Sequence, residues 1–417
     1  MIWISITCFL IAFLICCSML KREADIMSPA RVFGFTWSIV FGLANLKFSG
    51  FQSEWTFGQW AYALLGPTSF ILGLVAAYVV SIGAQLHPIN GMRQMVKHQK
   101  IDDEKLFYII ILAFVTYLVG YFVTYLVKGY IPIFAPNPSA ARIEYFIFGI
   151  GLFIHHMPIV VILSLVYHLV ARDNHSKKRV LKILVFISIL TYLFLLQRYQ
   201  LIMISMMVFT LLYYTTRYIR FRTMILFVIL GIFVIYSIAS LRVGQLVQTV
   251  LYTTSQMKFS YQYAIFTEPY MYMVMNIENF VHAVSRLDQH TYGYYTFDFA
   301  LAVTGLKYPI KEYFGLVDTP YLTSGYNAYS IFWTYYRDFG LLGISLVPLI
   351  GGLFIGSVYY AMRRNPTIEL VSFYSVMVFV MGLSFFLSPL GFLWFVYIVA
   401  WMGMTFRLVC TEIRTKQ

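Results

Sequence analysis

The chain is short of charge. Of its 417 residues only 11% are Asp, Glu, Lys or Arg, against about 25% in a soluble domain. That scarcity, with 60% apolar residues and a mean hydropathy of +0.75, excludes a soluble globular protein and a disordered chain. Cysteine is nearly absent: Cys8, Cys16, Cys17 and Cys410 form no disulfide framework and no metal-binding spacing. No HExxH, P-loop, GxSxG or paired CxxC pattern occurs, so soluble-type zinc-protease, nucleotide and serine-hydrolase chemistry lacks support. The first apolar run has no basic stretch before it and no small-residue cleavage site, so it is expected to be a retained helix. No internal repeat or linker is visible, and the alternation of a transmembrane β-barrel is missing.

What is present is long apolar runs. Each membrane span needs about 20 apolar residues. Eleven can be drawn, at 2–20, 31–50, 60–83, 106–127, 146–170, 181–197, 201–216, 223–241, 340–362, 368–387 and 390–408, the sixth to eighth being short. The expected fold is an all-α, polytopic membrane protein, a single transmembrane domain over 1–417. The net charge of +13 follows from basic clusters between apolar runs, so nucleic acid is not an expected partner and the lipid bilayer is. Twenty of the 30 basic residues fall on one side: Lys21, Arg22 and Arg31, the 93–105 and 172–182 groups, Arg217, Arg220, Arg222, Arg363, Arg364 and the tail. That side is expected to be cytoplasmic, which puts the N-terminus outside and the C-terminus inside.

One stretch breaks the pattern. Residues 242–338 contain no clean span, yet 15 of the 34 tyrosines lie in 251–336. So aromatic a segment is expected to be folded, a large extracytoplasmic loop region, partly helical, at the membrane surface. Its tyrosines suit either an interfacial aromatic belt or stacking on sugar rings.

The outer face keeps arginines that the charge bias should deplete. Arg142 follows the Pro-rich stretch Gly129–Pro138. Arg198 sits in the hairpin Gln197-Arg198-Tyr199-Gln200. Arg242 ends the eighth span, Arg286 lies in the long loop, and Arg337 follows Tyr336 at the entrance of the ninth span. A guanidinium grips phosphate through a planar fork, so converging arginines would suit a lipid diphosphate; alternatively each snorkels to headgroups or pairs with a carboxylate. Acid–base candidates are Glu144, Glu268, Glu278, Asp288, Asp298, Asp318, Asp338, His282 and His290. Glu278 and His282 share a helical face at i,i+4, either as a base with its orienter or as a structural pair. Asp338 beside Arg337 reads as an ion pair or a helix cap. His155-His156 inside the fifth span is a functional candidate or a packing pair. Adjacent positions stand about 100° apart, so the two do not easily share a metal.

Three stretches carry a resemblance. They are Ile131-Pro132-Ile133-Phe134 with Asn137-Pro138 and Ala141-Arg142, the Arg198 hairpin, and Asn327-Ala328-Tyr329 through Tyr336-Arg337-Asp338-Phe339-Gly340 leading to Gly343. Together with the plan of many spans and one large late loop, they make the chain resemble the Wzy-type O-antigen polymerases of bacterial inner membranes. The resemblance implies a GT-C-like fold. It also implies glycosyl transfer from an undecaprenyl-diphosphate-linked oligosaccharide to a second lipid-linked repeat unit, without a cofactor. A chain-length regulator is an implied partner. On this basis Arg142, Arg198, Arg242, Arg337 and Tyr336 are expected to hold diphosphate and glycan, and Glu278, His282 and Asp338 to supply the base. An O-antigen ligase shares the donor, and a flippase or other transporter is the alternative of a different class, although transporters commonly show internal repeats.

Overall fold

The computed structural model describes residues 2–21, 24–171, 174–217, 247–287, 289–317, 320–323, 325–326, 328–386 and 388–414, with isolated positions between 218 and 246. Its helices are α1 (Ile2–Met19), α2 (Pro29–Ala44), α3 (Phe57–Val80), α4 (Ile89–Lys97), α5 (Asp103–Lys128), α6 (Pro138–Glu144), α7 (Gly151–Ile154), α8 (Met157–Val170), α9 (His175–Leu193) and α10 (Tyr199–Thr215). They continue with α11 (Val247–Thr254), α12 (Thr267–Val284), α13 (Asp298–Thr304), α14 (Lys307–Tyr313), α15 (Ile331–Arg364), α16 (Ile368–Gly382) and α17 (Leu393–Arg414). Among the described residues there is no strand, only one isolated bridge between Ser49 and Met257. Over the described residues the fold is all-helical, and its long apolar helices are those of a membrane protein.

Of the eleven drawn spans, six match helices long and apolar enough to cross a membrane: α1, α3, α5, the α7–α8 stretch, α15 and α17. Helices α2, α10 and α16 are apolar but shorter. α9 has the length, yet its first turns hold Lys177, Lys178, Arg179 and Lys182. The span at 223–241 lies largely outside the described residues. Two spans differ in detail. The fifth is interrupted at His155-His156, where α7 stops and α8 starts, so the pair marks a break near one end rather than the middle of a helix. The ninth begins at Ile331, and its axis breaks at Gly340, whose φ of 62° and ψ of −141° are not helical.

The helices form two compact units, Met1–Leu86 with Leu246–Arg364 and Met377–Leu393, and His87–Gln245 with Asn365–Val376 and Trp394–Gln417. In the first unit α3 lies along α15 at backbone contact. A Cβ on Gly352 would stand 2.1 Å from the Phe70 carbonyl oxygen, and one on Gly73 2.1 Å from that of Leu349. Gly352 and Gly356 form a GxxxG face against Gly73 and Ala77, a close approach that only small residues permit between helices in a bilayer. The 267–284 part of the tyrosine-rich region is folded into this unit: α12 is buried over most of its length and packs on α2 and α3. In the second unit α5 packs on α7, α8 and α9 around buried Tyr117, Tyr145, Tyr192 and Met157. The loop-to-helix transitions follow their local chemistry. Thr56 and Gln59 close a capping box on α3, Asp102 caps α5, and Gly129 ends α5 in the left-handed conformation.

Gly352→Val places a branched side chain against backbone atoms that cannot move aside. It is expected to lower the melting temperature of the detergent-purified protein by several degrees, whereas Gly403→Val, which meets nothing within 4 Å, is expected to leave it unchanged.

Candidate functional sites

In the first unit the site is built on one face of α12. Glu278 is fully buried. Its Oε2 accepts from Lys47 Nζ at 2.9 Å and from Trp55 Nε1 at 3.0 Å; its Oε1 accepts from the Ser53 N–H at 3.0 Å and lies 3.2 Å from His282 Nε2. Lys47 Nζ also stands 4.0 Å over the Trp55 ring. The donors come from the 45–56 connection, which α12 grips a second time about two turns away. There the Tyr270 hydroxyl donates to Gln52 Oε1 at 2.7 Å and accepts from the Phe48 N–H at 3.0 Å. Residues 255–258 pin the same connection through Gly50 N–H to the Gln256 carbonyl and Lys258 N–H to the Phe48 carbonyl, both 2.8 Å.

Burial raises the Glu278 pKa, but the hydrogen bonds from His282, Lys47 and Ser53 and the Lys47 charge outweigh it, leaving the carboxyl below its ordinary value. Lys47 is also below its ordinary value, because burial outweighs the attraction of Glu278. Glu278 is therefore an anchored carboxylate whose lone pairs are engaged, an orienter rather than a base. His282 keeps 25% of its side-chain surface. With Nε2–H turned to Glu278, the neutral ring presents Nδ1 as an acceptor, and that atom has no hydrogen-bond partner among the described residues.

Asp338 and Arg337 take other roles. Asp338 is neither an ion pair with Arg337 nor a helix cap. It is fully buried and accepts from Thr291 Oγ1 and from the N–H groups of Tyr295, at 3.2 Å, and Thr296, at 2.5 Å. Arg337 is buried, donates to the Val317 carbonyl and lies 3.7 Å from the Tyr295 ring centre. The two side chains thus fasten the 291–317 segment to the start of α15, which accounts for their burial without a substrate. Tyr336 is half-buried among the rings of Tyr62, Phe280, His290 and Trp333. Asp298 pairs with Lys307 at 2.7 Å, Glu268 is buried, and Glu144 and Arg286 are exposed. Arg242, Asp288, Asp318 and Asn327 lie outside the described residues.

In the second unit the Pro-rich loop and the arginine hairpin come together. The Ile133 N–H donates to the Phe194 carbonyl at 3.1 Å, Phe134 and Phe194 have ring centres 5.8 Å apart, and Gln197 Nε2 donates to the Arg142 carbonyl at 3.0 Å. Arg142, on α6, and Arg198, at the start of α10, are thereby carried on joined segments and both are half-buried. On the same hairpin Gln200 Nε2 donates to His155 Nδ1 at 3.0 Å. His155 is stacked on Phe146, with ring centres 5.4 Å apart, and tilted against Trp394 at 5.5 Å. The sequence offered no signal for Lys47, Ser53 and Trp55, which contact Glu278 from more than 220 positions away.

Among the described residues no group of three or more His, Cys, Asp or Glu stands together to hold a metal. The chain matches no family model, no curated protein and no solved structure.

Glu278→Ala leaves the Lys47 charge buried without its carboxylate and is expected to cost about 3–5 kcal/mol of stability. The depressed Glu278 pKa adds a sign. Its contribution is complete above the ordinary carboxylate value of about 4.3 and is lost as pH falls through the lower folded value. Thermal melts from pH 6 downward are expected to show a larger loss for the native chain than for Glu278→Gln.

Proposed function

We propose that the chain is a membrane glycosyltransferase. It polymerises undecaprenyl-diphosphate-linked oligosaccharide repeat units into O-antigen or a related surface polysaccharide at the outer face of the bacterial inner membrane. The observation that carries the reading is the union of the Ile131–Arg142 stretch with the Arg198 hairpin through Gln197, since these are two of the three stretches on which the resemblance rests. In the proposed topology eleven spans cross the bilayer, with a periplasmic N-terminus and a cytoplasmic C-terminus, and a chain-length regulator is a candidate partner.

The chemistry needs little machinery. An acceptor hydroxyl attacks the anomeric carbon of the donor chain, the bond to the diphosphate oxygen breaks, and undecaprenyl diphosphate leaves with the bonding electron pair. The hydroxyl proton passes to a base. Energy comes from the glycosyl diphosphate bond, so no nucleotide is consumed. Arg142 and Arg198 are the proposed diphosphate contacts, with Arg242 a third, stabilising charge that grows on the leaving group. Within the first unit, His282 Nδ1, held in its tautomer by Glu278, is the group we propose as able to accept a proton. Arg337 and Asp338 are assigned to holding the 291–317 segment, and Tyr336 to an aromatic surface that can face a sugar.

In a deletion strain, gels resolving surface and lipid-linked glycan are expected to show single repeat units with the long chains gone. Accumulated long lipid-linked polymer would instead identify a ligase, and an unchanged profile would return the chain to the transporter class. Arg198→Ala is expected to abolish polymer at unchanged protein abundance; normal polymer from that variant would remove the diphosphate assignment.

A further inference from the structure

His155 sits where a membrane helix is interrupted, between the end of α7 and the start of α8. An ionisable side chain at such a place is costly unless it is used or fully satisfied. Two ring surfaces, Phe146 and Trp394, fix the imidazole plane. One hydrogen bond, from Gln200, fixes its chemistry. A carboxamide nitrogen only donates, so Nδ1 must accept, and the proton of the neutral ring resides on Nε2. Nε2 has no hydrogen-bond partner among the described residues, and His155 retains 9% of its surface. Its neighbour differs: His156 is fully buried and meets Tyr397 and the Phe153 carbonyl.

The segments around His155 are those that carry the arginines. Gln200 follows Arg198 by two positions on the same hairpin. Phe146 follows Arg142 by four and lies in the connection from α6 to α7. Tyr199 also packs edge-on to Trp394, ring centres 5.1 Å apart. A neutral N–H donor held by segments that carry two guanidiniums can add direction to their charge without adding repulsion, which a third cation would.

We infer that His155 is a further substrate-binding residue: it donates Nε2–H to an oxyanion of the diphosphate that Arg142 and Arg198 hold, with Gln200 as the positioning residue that sets the tautomer. This rests on the diphosphate reading above. The ligand class is a prenyl diphosphate, bound through phosphoryl oxygens.

The test uses the full chain in phosphatidylcholine nanodiscs, with farnesyl diphosphate as probe. His155→Phe keeps the stacked ring and removes the N–H; it is expected to weaken binding about tenfold, the size of one hydrogen bond to a charged group. His155→Gln, which restores a side-chain N–H, is expected to recover part of the loss. In isotope-labelled histidine NMR of the native chain, His155 is expected to show the Nε2–H tautomer and a downfield Nε2 proton on adding the probe. Gln200→Leu is expected to mix the tautomers. If Arg142→Ala and Arg198→Ala leave binding intact, the diphosphate reading itself falls. If they weaken it while His155→Phe does not, the inference about His155 falls alone. A His155 response to phosphatidylglycerol without the probe would assign the site to a lipid headgroup and overturn the proposal. Should His155→Phe fail to fold, the native-chain NMR decides, and an unmoved Nε2 resonance refutes it.

Discussion

A carboxylate sealed from water has to find its solvation inside the protein, and Glu278 finds it in Lys47, Ser53, Trp55 and His282. Burying an ion costs several kcal/mol unless the partners are well placed, so these donors cannot drift. Their placement fixes the 45–56 connection, and that connection fixes how α2 and α3 present themselves to α12. Tyr270 and the 255–258 segment repeat the fastening at a second point. The tyrosine-rich region is held to the apolar helices of its unit by polar contacts as well as by packing.

The same rule governs the start of α15. Asp338 collects two backbone N–H groups and a hydroxyl, and Arg337 a carbonyl and an aromatic face. Neighbours in sequence with opposite charges do not pair with each other here, because each has an unsatisfied stretch of irregular backbone to serve. In a chain so poor in charge, buried charged residues go first to the loops that apolar packing cannot order. Among the described histidines with one nitrogen engaged and the other without a hydrogen-bond partner are His282, open at Nδ1 in the first unit, and His155, open at Nε2 in the second.

The two histidines show how a carboxylate and a carboxamide turn opposite ends of the same Nε2–H tautomer outward. Glu278 accepts, so His282 turns N–H toward it and keeps a lone pair outward. Gln200 donates, so His155 turns its lone pair inward and keeps an N–H outward. One arrangement suits taking a proton and the other suits steadying an anion.

Several features were legible in the sequence: the helical class and the apolar, membrane-suited helices from composition, six of the eleven drawn spans from hydropathy, and the Glu278–His282 contact from its i,i+4 spacing. The GxxxG at Gly352 and Gly356 was there to be read as well. These are local properties, set by the period of a helix and the length of a bilayer. Other features were decided only by the tertiary structure. Lys47 and Trp55 reach Glu278 from a distant connection, Asp338 serves the 291–296 turn rather than its neighbour Arg337, and Gln197 ties Arg142 to the Arg198 hairpin. Hydropathy says which segments avoid water, but it carries no information about which buried polar group will satisfy which other. That pairing is a geometric outcome of helix packing, and it separates an anchored carboxylate from an available base.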